Sequence, residues 1–258
     1  MKLSACIDMM FPSVDFYDRF AQAKECGMDA VEFWAWGKKD IQRVCRELDR
    51  NGLSLSVFNI DSRDEDISRR LTRGILNTGA VGDFLQALKE SIPVYHTLKA
   101  SAMIVLIGDT LPDVSKLQQE ENILRCLHAA APITEENGVT LVVEPLNATD
   151  RQGYFMPEAE RLLSILDAVD SPNVKMLYDI YHQNMTGDFS LEVIEKNIDR
   201  IGHFHVADCP GRHEPGTGKV DYVSILRSIK TMNYDGYVGL EYRATKPENQ
   251  TLDFLKEV

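Results

Sequence analysis

Four side chains of cation-binding type recur at one place in a repeating pattern. Glu144 closes the run Leu141-Val142-Val143-Glu144, and Asp179 closes Met176-Leu177-Tyr178-Asp179. His205 closes His203-Phe204-His205, and Glu241 closes Gly239-Leu240-Glu241. The intervals between them are 35, 26 and 36 residues, each close to one strand-plus-helix unit. Three carboxylates gathered at the end of an apolar scaffold would raise one another's pKa and weaken the fold. A divalent cation removes that conflict, and three oxygens with one imidazole suit Mn²⁺, Mg²⁺, Co²⁺ or Zn²⁺. The competing reading leaves the same acids as ordinary strand ends paired with Arg151, Arg212 or Arg243.

Residues near these four extend the chemistry. His182 lies three beyond Asp179, at the expected start of a loop, where it could donate to a substrate hydroxyl or carbonyl. His203 shares a strand face with His205 but lies deeper, which points to a packed, hydrogen-bonded role. Arg212, in a glycine-rich stretch, has the fork that clamps a carboxylate or a sugar oxygen. Trp34 and Trp36 offer either an apolar wall for a sugar ring or plain barrel packing. Cys209 reads as a bystander. The chain contains no G-x-S-x-G elbow and no G-x-x-x-x-G-K-[ST] phosphate loop.

The elements that must position these groups follow from hydrophobic pattern. Strands are expected at Leu3–Met9, Ala30–Trp34, Leu53–Ile60, Met103–Gly108, Thr140–Asn147, Val174–Tyr181, Ile201–Asp208 and Tyr237–Tyr242. Continuous apolar runs such as Met103-Ile104-Val105-Leu106-Ile107 suit strands buried on both faces of a parallel sheet. Helices are expected at Val14–Cys26, Ile41–Asn51, Ser115–Asn137, Pro157–Val169 and Asp221–Met232, several of them stopped by glycine. No G-x-G-x-x-G follows the first strand, which disfavours an open dinucleotide-binding sheet. Eight units of roughly 30 residues match an α/β fold, the (β/α)8 TIM barrel, as a single domain over residues 1–258. Two long connections, Asp61–Gly82 and Cys209–Lys219, follow strands and so lie on the face where barrels carry their sites. Extended loops there commonly serve as lids.

Composition narrows the partners. With 28 Lys and Arg against 40 Asp and Glu, the net charge of −12 repels a phosphate backbone, so no nucleic-acid partner is expected. No apolar stretch approaches a membrane span, and the N-terminus lacks a signal peptide's apolar core. Five scattered cysteines read as reduced, mostly buried thiols of a cytoplasmic protein.

The segments Val143-Glu144-Pro145-Leu146-Asn147, Asp179-Ile180-Tyr181-His182-Gln183 and Gly239-Leu240-Glu241-Tyr242 resemble the xylose isomerase-like TIM barrels. So, most specifically, does the stretch from Gly202-His203-Phe204-His205 through Asp208-Cys209-Pro210-Gly211-Arg212-His213-Glu214-Pro215-Gly216-Thr217-Gly218. Within that family the chain is similar to the hydroxypyruvate isomerase group. The resemblance implies one divalent ion held by Glu144, Asp179, His205 and Glu241, with Glu144 and Glu241 doubling as acid–base groups. It also implies glutamine at position 205 in the hydroxypyruvate isomerase group, and histidine in the ketose 3-epimerases. His205 therefore favours Mn²⁺ or Co²⁺ over Mg²⁺, with Zn²⁺ possible. The expected reaction interconverts the aldehyde and ketone forms of a small hydroxy-keto acid or sugar by enediolate proton transfer. His182, Arg212 and Trp34 are expected to hold the substrate. Ketose 3-epimerase is the alternative. An endonuclease IV-like repair enzyme fits less well, because His96 and His128 fall on expected helices. A catalytically silent sugar-binding barrel is a third rival. Relatives that pair suggest a homo-oligomer.

Overall fold

Each apolar run becomes a parallel strand: β1 (Lys2–Cys6), β2 (Ala30–Phe33), β3 (Ser54–Asn59), β4 (Ala102–Leu106), β5 (Leu141–Glu144), β6 (Val174–Asp179), β7 (Ile201–Val206) and β8 (Tyr237–Leu240). They pair in chain order, and β8 returns to β1, so the sheet is a closed barrel. The computed structural model describes residues 1–78 and 81–258. The helices are α1 (Arg19–Glu25), α2 (Ile41–Asn51), α3 (Glu65–Leu71), α4 (Val81–Leu98), α5 (Lys116–Asn137), α6 (Ala159–Val169), α7 (Ile180–Thr186), α8 (Leu191–Lys196) and α9 (Tyr222–Thr231). The architecture is the single-domain (β/α)8 barrel that the alternating pattern requires.

Local rules explain the boundaries. Asp40 caps α2 by accepting from Arg43 N at 3.0 Å, and Ser115 caps α5 by accepting from Gln118 N at 3.2 Å. Strand β5 stops at Glu144 because Pro145 follows, which has no N–H for the ladder. Strand β6 stops at Asp179 rather than Tyr181, because the Asp179 carboxylate caps α7. The first expected helix is shorter than its pattern: a 3₁₀ turn at Phe16–Asp18 precedes α1.

Within its described residues, the connection 61–82 is more ordered than its polarity implies. It contains α3, whose Ile67 and Leu71 are buried one turn apart, and a 3₁₀ turn at Ile75–Thr78. Gly79 and Ala80 lie outside the described residues, so the expected loosening at Asn77-Thr78-Gly79 is only partly within view. A Cβ on Gly74 would stand 2.3 Å from Gly108 Cα, so glycine alone lets this segment close on the end of β4. Arg151 fastens the same segment, donating to Thr72 O at 3.0 Å and Arg73 O at 2.7 Å while pairing with Asp109 at 2.7 Å.

Most core residues fill the space between strands and helices. A separate small cluster holds Val57, Ala102, Ile104, Val142 and Leu177. Side chains alternate along a strand, so these residues share the inward face with Asn59, Leu106, Glu144 and Asp179. They form a hydrocarbon floor beneath one half of the barrel mouth. All five cysteines are free, but only Cys6 and Cys126 are buried, fewer than expected. No helix among the described residues is long and apolar enough to cross a membrane.

Candidate active site and metal centre

The four strand-end residues converge. One ligand atom from each of Glu144, Asp179, His205 and Glu241 lies within 4.8 Å of the others, and all four residues are buried. His205 Nδ1 faces Glu144 Oε1 at 3.4 Å and Glu241 Oε2 at 3.5 Å. That nitrogen has no hydrogen-bond partner despite its burial. Ion–ligand bonds of about 2.0–2.6 Å put ligand atoms at comparable mutual separations. The donor set, the spacing and the orphaned imidazole nitrogen fit one divalent cation.

The two glutamates differ in environment. Burial pushes the Glu144 carboxyl above its ordinary range, and His205 only partly offsets this. Burial acts on Glu241 as well, but the Arg212 guanidinium and His205 outweigh it and hold Glu241 below the usual range. Arg212 donates to Glu241 Oε2, Trp34 Nε1 donates to Oε1 at 3.0 Å, and Cys6 Sγ lies 3.9 Å from the same oxygen. Burial raises Asp179 to about 6 despite His205 and Arg212. Burial would lower His205, yet Glu32 and Glu241 hold it well above the ordinary imidazole value. Proton and cation therefore compete for this imidazole.

His182 sits in the first turn of α7 rather than at the start of a loop, and it is buried. Its Nδ1 receives Asn147 N at 3.1 Å and lies 2.6 Å from Asn147 Nδ2. With Nδ1 accepting, the ring proton belongs on Nε2, which has no hydrogen-bond partner. Burial, then Arg212, lowers its pKa to about 4, so the ring is a neutral donor.

These groups open onto a cavity of about 350 Å³ at the C-terminal end of the barrel. Glu144, His182, Arg212 and Glu241 form one wall. Trp34, Ile60, Leu71, Ile104 and Leu106 form the facing wall, so part of the 61–82 segment overhangs the space. Of the two tryptophans, Trp34 lines the cavity, whereas Trp36 is buried and donates to Ser91 Oγ at 2.9 Å. Of the arginines named as rival partners, Arg151 pairs with Asp109 and Arg212 pairs with Glu241. The glycine-rich loop after β7 is organised by buried Asp208, which accepts from Cys209 N, Gly216 N and Val220 N. Arg212 in that loop adopts φ 56°, a left-handed backbone that aims its side chain from a tight turn.

Sequence reasoning missed Glu32. It is buried on β2, with Oε2 3.0 Å from His203 Nε2 and Oε1 2.9 Å from His205 Nε2. The available signal was a charged residue inside the strand Ala-Val-Glu-Phe. It also missed Asn147, whose amide fixes the His182 ring.

A closed parallel barrel with a buried acid–imidazole cluster at its C-terminal mouth defines a metal-binding enzyme of the TIM-barrel class. The chain belongs to the xylose isomerase-like TIM barrel family, which matches residues 20–258. It is 31% identical over 252 residues to hydroxypyruvate isomerase of Escherichia coli (strain K12), covering 97% of this chain and 95% of that protein. It is 30% identical over 256 residues to 2-oxo-tetronate isomerase of Cupriavidus necator, covering 99% and 97%. The solved structure of AP endonuclease, family 2, from Brucella melitensis superposes with a TM-score of 0.89 at 28% identity, covering 99% and 98%. Relatives and candidate metal site together make this an isomerase-type enzyme.

Proposed function

We propose that the protein interconverts the aldehyde and ketone forms of a small hydroxy-keto acid or sugar by proton transfer through an enediolate. One observation carries this reading: two carboxylates of opposite pKa tendency face one cavity on either side of a single imidazole ligand. Pairs of acids pushed apart in this way suit sequential removal and return of a proton. The similarity to hydroxypyruvate and 2-oxo-tetronate isomerases supports the hydroxy-keto acid class.

Glu144, Asp179, His205 and Glu241 would hold the ion, with Mn²⁺ or Co²⁺ preferred for a site containing imidazole. When bound, the cation supplies Lewis-acid stabilisation of negative charge developing on the substrate oxygens. Glu241, kept ionised by Arg212, takes the carbon-bound proton. Glu144, raised by burial, delivers a proton to the neighbouring carbon, while the hydroxyl proton passes from one substrate oxygen to the other. His182 Nε2–H steadies the oxygen that gains charge, and Arg212 orients the distal carboxylate or hydroxyl. Trp34 closes the apolar side. We place the enzyme in the cytoplasm, in keeping with five free cysteines.

The test is exchange in D₂O, with Mn²⁺-loaded protein incubated with hydroxypyruvate and a ketose panel and followed by NMR. Deuterium at C2 of an aldehyde product supports the isomerase. Deuterium at C3 of a ketose instead assigns a 3-epimerase. No exchange with any substrate, in protein that has bound Mn²⁺, overturns the proposal.

A further inference from the structure

The barrel interior below the candidate metal centre holds a second polar group, and Glu32 is its hub. Its Oε2 accepts from Ser56 Oγ at 2.9 Å and lies 3.0 Å from His203 Nε2. Ser56 Oγ is in turn 2.6 Å from Ser4 Oγ. Glu32 Oε1 lies 2.9 Å from His205 Nε2, an ion-pair contact without hydrogen-bond alignment. Glu32, Ser4, Ser56, His203 and His205 are all buried. A carboxylate so far from water is costly unless charged or hydrogen-bonding neighbours offset the burial.

Space for this arrangement comes from β8. A Cβ on Gly239 would stand 2.5 and 2.6 Å from the two Glu32 oxygens and 2.7 Å from His205 Cδ2. Gly239 pairs with Ser4 on one side and His205 on the other. Any side chain there would separate Glu32 from His205.

His205 thus has two unlike edges: Nε2 toward Glu32, and Nδ1 toward Glu144 and Glu241. A neutral imidazole carries one ring proton, and the nitrogen without it can bind a cation. We infer that Glu32 is a positioning residue that holds the His205 proton on Nε2 and presents Nδ1 as the ligand. His203 and Ser56 keep the carboxylate from turning away. This inference rests on the metal reading above. The same residues could instead ligate a second ion, since Glu32, His203 and His205 also lie within ligand distance of one another. Oε2 is already held by Ser56 and His203, and Oε1 approaches His205 Nε2 to 2.9 Å, which favours the positioning role.

The test begins with native protein loaded with Zn²⁺ and labelled with ¹⁵N-histidine. Two-bond ¹H–¹⁵N correlations should show His205 protonated at Nε2 and ligated through Nδ1; ligation through Nε2 overturns the inference. Mn²⁺ titration followed by EPR should give one ion per chain, and two ions per chain overturns it as well. Glu32→Gln should weaken Mn²⁺ binding by about 10- to 100-fold, and affinity within twofold of native contradicts the role. Should that variant not fold, Ser56→Ala, which removes one hydrogen bond from the same carboxylate, should weaken binding by a smaller factor and scramble the His205 tautomer signal. A native protein that binds no Mn²⁺ sinks the metal reading itself, an outcome distinct from native binding without a Glu32 effect.

Discussion

The two walls of the cavity are built from the same kind of strand and yet are chemical opposites. Strands β5 to β8 end in or next to acids and an imidazole, α7 adds His182, and the loop after β7 adds Arg212. The side built from β2 to β4 and α3 presents mainly hydrocarbon from Trp34, Ile60, Leu71, Ile104 and Leu106, with Asn59, Asp61, Ser68 and Thr72 among it. Buried charge on one side needs partners at every atom, and the residues around it are held by hydrogen bonds. The hydrocarbon that dominates the other side needs only shape, so it defines the space without taking part in proton transfer. Each wall should therefore fail in its own way when altered.

The acid wall should fail first in turnover. Glu144→Gln and Glu241→Gln should each lower kcat by about 10²–10⁴-fold, measured by steady-state assay in protein confirmed to bind Mn²⁺. Near-normal turnover in both would remove the distinction between the walls. Arg212→Met should lower kcat/KM by about 10- to 100-fold and move the acid limb of the pH profile. The sign is set by Glu241: Arg212 lowers its pKa, so losing the guanidinium raises it, and activity should disappear at a higher pH than in the native enzyme.

His182 offers a sharper test in metal-free protein. Its folded pKa of about 4 lies below the ordinary 6.5. Between those values the unfolded chain binds a proton that the folded chain does not, so this residue makes stability fall as pH falls. His182→Gln should lessen the loss by at most about 1.4 kcal/mol per pH unit across that window, read from urea melts at several pH values.

The apolar side should respond in order and fit. Arg151→Ala releases Thr72 O and Arg73 O, so hydrogen exchange across Glu65–Leu71 should quicken, with KM raised more than kcat is lowered. Unchanged exchange would show that the overhang stands without this tie. Ile104→Val should cost only about 0.5–1.5 kcal/mol of stability and leave kcat intact.

The acid wall was legible in the sequence because its residues end strands one unit apart, a spacing that survives without coordinates. The fold was legible for the same reason. Glu32 was not, since a lone acid inside an apolar strand carries no pattern, and His203 lies 171 residues away. The helical place of His182 was hidden because it depends on a cap made by Asp179, a residue already read as a strand end. Helix α3 was masked by its charged face, although Ile67 and Leu71 keep the four-residue spacing of a buried stripe. Trp34 and Trp36 could not be separated by type; Ser91 on α4 decides that Trp36 belongs to packing.

Asp179 joins two structural tasks in one carboxylate. Oδ1 accepts from His182 N at 3.1 Å and starts α7, while Oδ2 lies 3.5 Å from His182 Nε2. From α7, Gln183 reaches back to Pro157 O and Ala159 N at the start of α6. Any ligand taken up by this carboxylate would therefore bear on the cap of α7, and through Gln183 on the segment that leads into α6.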